Sequence, residues 1–199
     1  MASFLQYKTN GIQWAVWKME ESLDVLLLLL PGARRAFCEQ ELNRFVSERR
    51  KMEWLSVRVL LYSMLQEDKE IGYSPEGKPY LTDHSFFISI SHTKGYVAVM
   101  LASSVPVGID IEQYVRPDEQ VESYQGDITW GLLLHWSAKE AVFKRMENAD
   151  ADLRKLRLTH FIPQEEGTFQ VQELVTAQQE LYSVGYRICP DFVLTWTLN

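Results

Sequence analysis

Cysteine is scarce in this sequence. Its two cysteines, Cys38 and Cys189, sit in no C-x-x-C pair and beside no histidine at ligand spacing. Neither a zinc site nor a disulfide framework is therefore encoded, and both thiols are expected to be reduced. Long apolar runs are missing as well. Val25–Leu30 is only six residues, far short of the ~20 that cross a bilayer, and Pro31-Gly32 follows it, so a buried helix capped by Ser22 is expected over Leu23–Leu30. The N-terminus shows no basic stretch leading into an apolar core, so no secretory signal is read and the cytoplasm is the expected location, without a membrane partner. Positive charge is not in excess either. Lys and Arg number 20 against 27 Asp and Glu, a net charge of −7, which argues against nucleic acid as a partner.

What is present is enough for a substantial core. The 199 residues are 46% hydrophobic and 12% aromatic, a composition that folds as one medium domain or two small ones sharing an interior. Gly11–Lys18 alternates as a strand. From Arg34 to Gln66 apolar residues recur at threes and fours, predicting helix. Ser74–Pro79 is a loop by its Pro and Gly. Phe86–Ser91 and Tyr96–Ala102 are β-like runs around a polar turn at His92–Gly95. Beyond about Met146, Leu158–Ile162, Thr168–Val175, Leu181–Ile188 and Phe192–Leu198 read as four short strands separated by Pro and Gly. Both halves thus run strand, helix, then several strands, and the expected class is α+β.

Chemistry concentrates in two stretches. In Val107–Glu112 (VGIDIE), alternation puts Val107, Ile109 and Ile111 on one strand face and the carboxylates of Asp110 and Glu112 on the other, pointing together as a hard, oxygen-seeking cation requires. In His135–Lys144 (HWSAKEAVFK), Glu140 and Lys144 stand one helical turn apart on a shared face, a pairing worth only about 0.3–0.5 kcal/mol if nothing else engages them. Three acids and a lysine would converge if this helix packs on that strand, a set suited to Mg²⁺ and a phosphate-bearing substrate. Lys139 lies round the helix from Glu140 and is expected to face solvent or substrate. Upstream, Arg44 and the run Arg49-Arg50-Lys51 offer guanidinium and ammonium groups for an anion.

GIDIE followed by W-S-x-K-E-x-x-x-K closely resembles the two signature motifs of the 4′-phosphopantetheinyl transferases of the surfactin-synthetase type. Gly77-Lys78-Pro79 is similar to that family's G-K-P element, and Ser91-His92 to its I-S-H element. The resemblance spans roughly residues 40–145 at the level of motifs. It implies two similar α/β halves in a pseudo-two-fold arrangement, 1–106 and 107–199, with the active site between them. It also implies an activity: transfer of phosphopantetheine from coenzyme A to a serine of an apo acyl or peptidyl carrier protein, releasing adenosine 3′,5′-bisphosphate. Asp110, Glu112 and Glu140 would hold Mg²⁺, with Mn²⁺ also acceptable to oxygen ligands. Glu140 and Lys144 would be catalytic. Arg44, Arg49, Arg50, Lys51, Lys78, Ser91, His92 and Lys144 would contact coenzyme A. A duplicated chain completes its own site, so a monomer is expected. The interval Gln113–His135 is shorter than the family's usual insertion. That favours, as the alternative reading, a coenzyme A or nucleotide-binding protein with reduced or lost carrier transfer.

Overall fold

The computed structural model describes residues 5–9, 11–113, 125–146, 152–162 and 164–198, with 125–130 as backbone alone. The chain is α+β, as expected. It opens with an antiparallel hairpin, β1 (Leu5–Thr9) and β2 (Ile12–Lys18), followed by three helices, α1 (Leu23–Leu28), α2 (Gly32–Leu42) and α3 (Glu48–Leu65). Two small strands, β3 (Ile71–Tyr73) and β4 (Pro79–Leu81), lead to the long hairpin β5 (Phe87–Thr93) and β6 (Tyr96–Ala102). Strand β7 (Ile109–Gln113) and helix α4 (Gln125–Arg145) begin the second half, which ends in β8 (Leu156–Leu158), β9 (Glu166–Glu173), β10 (Leu181–Ile188) and β11 (Phe192–Thr197). One sheet has the order β1-β2-β6-β5 and the other β7-β11-β10-β9-β8, while β3 and β4 pair only with each other.

Alternation along the central strands builds three apolar cores. In β6, Val97, Val99 and Leu101 join Leu55, Leu60 and Leu61 of α3, and Leu26 of α1, on one side. On the other side Ala98, Met100 and Ala102 join Trp14 and Val16 of β2, Ile109 and Ile111 of β7, and Phe192, Leu194 and Trp196 of β11. A third core sets Leu134, Ala138 and Val142 of α4 against Val171, Val184, Tyr186 and Val193 of the five-stranded sheet. The layers are therefore helices, sheet, sheet, helix. A strand buried on both faces reads as a continuous apolar run, which is why YVAVMLA in β6 carries no polar alternation. In FVLTWT of β11 the two threonines, Thr195 and Thr197, are also buried, with their hydroxyls hydrogen-bonded to Ser137 and to the N–H of Gly108. The two cysteines are free and buried, Cys38 in the first core and Cys189 in the second. No helix among the described residues is long and apolar enough to cross a membrane.

The two sheets meet at β5 and β7, and the contact is unusual. Ser89, Ser91 and Thr93 present their hydroxyls to the neighbouring strand. There they accept the backbone N–H groups of Ile109, Ile111 and Gln113 at 3.1, 3.3 and 3.1 Å. Each acceptor lies twenty positions before its donor, so the strands run side by side in the same direction. Side-chain oxygens thus satisfy buried N–H groups that a ladder would otherwise have to pair.

Several expectations need correcting. The helical region from Arg34 to Gln66 is two helices, because Ser47 leaves helical geometry and its hydroxyl caps the N–H of Arg50 at 3.4 Å, starting α3 anew. Ser91 lies in strand β5 as its β-like run implied, and His92 is a strand residue as well, not a turn residue. The turn is only Lys94-Gly95, which Gly95 permits with φ of 82°. The strand expected at Leu158–Ile162 instead ends at Leu158, after a 3₁₀ turn over Leu153–Lys155. Just beyond it the N–H of Gln170 is accepted by the Thr159 hydroxyl at 3.2 Å, and Phe161 stacks on Phe169 at 4.6 Å. Within the interval Gln113–His135, residues 125–135 belong to α4, and 114–124 lie outside the described residues.

Candidate functional site

The alternation expected for β7 holds: Ile109 and Ile111 enter the sheet-to-sheet core, and Asp110 and Glu112 face α4. What lets α4 come so close is Gly108. A Cβ there would lie 1.7 Å from the backbone carbonyl oxygen of Ala141, so only glycine permits this approach of helix to strand. Ala138 and Ala141 continue the small face, both fully buried. Ser137, also buried, shares a hydrogen bond of 2.8 Å with Thr195 on β11. The helix is thereby held against β7 and β11, and Glu140 and Lys144 reach the same cleft as the two strand carboxylates.

Lys144 is the centre of that cleft. Its ammonium donates to Asp110 Oδ1 at 2.7 Å, to Ser91 Oγ at 2.9 Å and to the carbonyl of Ile109 at 3.1 Å. The partner of Lys144 is thus a buried aspartate on another element, not Glu140 one turn away. Ser91 donates its own hydroxyl proton to Asp110 Oδ1 at 2.9 Å. Asp110 is 3% exposed, and its second oxygen, Oδ2, is buried with no hydrogen-bond partner. Glu112 accepts the indole N–H of Trp136 at 3.1 Å. Burial, then the negative charge of Asp110, raises both Glu112 and Glu140 above the ordinary carboxyl range, with Lys144 opposing. Two raised acids beside an orphaned carboxylate oxygen form a site where one ammonium offsets only part of the negative charge. Such a donor set fits a hard divalent cation. Among the described residues, no three His, Cys, Asp or Glu side chains are already gathered as a ligand set.

Across the cleft stands His92 on β5, flanked by the start of α3. The key residue there, Glu53, has no counterpart among the sequence-derived candidates. It is 4% exposed and accepts from Arg49 Nε at 2.8 Å and from Arg50 Nη1 at 3.4 Å, with His92 Nδ1 3.8 Å away. Arg50 Nη1 also lies 3.3 Å from His92 Nε2. Because arginine only donates, Nε2 is the acceptor and a neutral ring carries its proton on Nδ1, toward Glu53. Burial lowers the His92 pKa; Glu53 opposes this, and Arg50, Lys144 and Arg49 add to it. Burial works to raise Glu53, but the Arg49 bond, the charge of His92 and the Arg50 bond overcome it and leave the carboxyl below its usual range. The signal for Glu53 in the sequence was its spacing, an acid three and four residues beyond two arginines on one helix.

The remaining basic candidates divide. Arg44 pairs with Glu41 at 2.9 Å and Lys51 with Glu48 at 2.6 Å, so their ion pairs are local and do not join the His92 group. Lys78 donates to the carbonyl of Met146 at the C-terminal end of α4. It lines a larger groove of about 850 Å³ together with Tyr80, Phe86, Phe87, Phe143 and Arg145. The polar cleft around Lys144, about 320 Å³, shares Ile90, Glu140 and Lys144 with this groove. The result is one continuous depression, aromatic and basic at one end and acidic at the other. It offers surfaces for a planar ring, for phosphates and for a cation. No protein-family model matches the chain, and no curated protein matches it in sequence.

Proposed function

We propose that this protein transfers the 4′-phosphopantetheine group of coenzyme A to a serine of an apo acyl or peptidyl carrier protein. The observation that carries the reading is the convergence of Glu140 and Lys144 from α4, Asp110 and Glu112 from β7, and Ser91 and His92 from β5 on one cleft. These are the positions at which the chain resembles the phosphopantetheinyl transferases. The pseudo-two-fold arrangement of halves 1–106 and 107–199 is supported by topology. The order β2-β6-β5 in one sheet recurs as β7-β11-β10 in the other, and a long helix lies between the first and last strands of each set. The reading includes a monomeric, cytoplasmic enzyme.

In this reading the adenine lies in the aromatic groove beside Lys78, and Arg49 and Arg50, with His92 behind Arg50, face the 3′-phosphate. The ammonium of Lys144 lies against the diphosphate, where a fixed positive charge in a site shielded from water favours the charge that develops as the bond to the leaving group breaks. Mg²⁺, held by Asp110, Glu112 and Glu140 when bound, would supply further charge neutralisation at that diphosphate. The carrier serine attacks the β-phosphorus, its proton passes to Glu140, and adenosine 3′,5′-bisphosphate departs. Burial and Asp110 make Glu140 a stronger base than a free glutamate, which moves its pKa toward working pH.

Mass spectrometry of apo carrier proteins incubated with coenzyme A, Mg²⁺ and this protein tests the reading. The expected product carries the mass of one phosphopantetheine group, and none forms with Asp110→Asn. Thermal stabilisation by coenzyme A with no carrier modified would replace the transferase by a coenzyme A-binding protein.

A further inference from the structure

We infer that Glu53 is a positioning residue for phosphomonoester recognition, a buried carboxylate that aligns Arg49 and Arg50, with His92 behind Arg50, into one anion-binding fork. The inference rests on the proposal that coenzyme A, which carries a 3′-phosphate, is the ligand of this cleft. A carboxylate inside an anion site is at first sight the wrong charge, and its placement explains it. The side chain of Glu53 is 6% exposed, while those of Arg49 and Arg50 are 69% and 54% exposed. The acid therefore sits beneath the guanidinium groups and leaves their outer N–H donors to solvent. Glu53 uses only Nε of Arg49 and one terminal nitrogen of Arg50. Two guanidinium charges against one carboxylate leave a net positive fork with donors free for phosphate oxygens. Long, exposed arginines have large rotamer freedom, and an anion that had to order both would bind more weakly; Glu53 orders them beforehand. His92 completes the arrangement by accepting from Arg50 and fixing the direction of that side chain.

The sign of one measurement separates positioning from simple charge. If Glu53 acted only through its charge, Glu53→Gln would tighten an anion, since a negative group has been removed. If it positions the fork, Glu53→Gln weakens the anion. The probes are adenosine 3′,5′-bisphosphate and 5′-AMP, titrated calorimetrically into the full chain, the two differing by the 3′-phosphate. Wild type is expected to prefer the bisphosphate. Glu53→Gln should lose about tenfold or more of that preference, the scale of a charge-assisted hydrogen bond, with AMP binding unchanged. In Arg50→Gln the same Glu53 substitution should add little, because the two act through one fork. Equal or tighter bisphosphate binding by Glu53→Gln overturns the inference, as does parallel weakening of both nucleotides, the mark of a merely structural residue. Should Glu53→Gln lose its melting transition, Arg49→Gln and Arg50→Gln carry the test, and full preference in both overturns it. A wild type without bisphosphate preference also overturns it, whatever happens to carriers. A wild type that prefers the bisphosphate yet modifies no carrier removes the transferase reading and leaves the fork standing.

Discussion

Replacing Gly108 by alanine tests how the cleft is assembled. The added methyl would lie 1.7 Å from the carbonyl oxygen of Ala141, where anything under 3.0 Å is essentially never seen. Its obstacle is helix backbone, not the tip of a side chain that can rotate away. The α4 helix must therefore withdraw by more than an ångström, or β7 must bow inward against Ile109 and Ile111, which are buried on the opposite face. Overpacking of this kind costs about 2–3 kcal/mol, and for a chain of this size that lowers the melting temperature by about 4–12 °C. The consequence for chemistry is larger. Glu140 and Lys144 flank the displaced turn, and a misplacement of ~1 Å in a reacting constellation costs on the order of a hundredfold in rate. Circular-dichroism melting with carrier transfer measured in parallel gives both numbers. A Gly108→Ala protein that melts with wild type would refute the reasoning, since it would mean that the strand and helix do not approach as closely as described.

Three further predictions concern side chains. Lys144→Met should lower stability by about 3 kcal/mol or more in denaturant titration, because it leaves Asp110 buried and uncompensated, and should lower transfer at least about a hundredfold; Lys144→Arg should recover part of both. Ser91→Ala strips the N–H of Ile111 and the Lys144–Asp110 pair of a shared partner, for an expected loss of about 1–3 kcal/mol by the same titration. Glu173 is the pH probe. Burial works to raise its pKa, but bonds from the Thr176 hydroxyl and the N–H groups of Thr176, Glu180 and Val175 lower it to about 2, from the usual 4.5. A depressed carboxyl stabilises the fold above the unfolded value and loses that contribution as pH falls toward the folded one. Glu173→Gln should therefore lower the melting temperature at pH 7 and flatten its fall between about pH 4.5 and 2.

Much of the site was legible because strand and helix periodicities are local properties. Asp110 and Glu112 had to share a face once Ile109 and Ile111 were assigned to a core, and Glu140 and Lys144 had to share a face on any helix. Partners are not local. Lys144 could as well have paired with Glu140, and only the close approach at Gly108 delivers it to Asp110. Strand β1 escaped notice because four of its five residues are exposed, so it lacks apolar alternation. His92 looked like the start of a turn because β5 is an edge strand of its sheet that ends in polar residues. Glu53 was masked by its surroundings, since an acid in a run of charged residues reads as solvated until the fold closes over it. The break between α2 and α3 was signalled by Ser47 but overridden by apolar spacing that continued across it.

The row of hydroxyls between β5 and β7 has a mechanical consequence. Within either sheet, neighbouring strands exchange backbone bonds in both directions, so sliding one strand breaks an array of bonds held by rigid peptide planes. Along this row the acceptors hang from rotatable side chains, and the bonds all run from β7 toward β5. Rotation about Cα–Cβ can let each oxygen follow its N–H through a small displacement without releasing it. This makes the join between the sheets more compliant in shear than the strand pairs to either side. Ser91 also holds Lys144 and Asp110, so a slip along that line is felt first at the ammonium and carboxylate on which the cleft is centred.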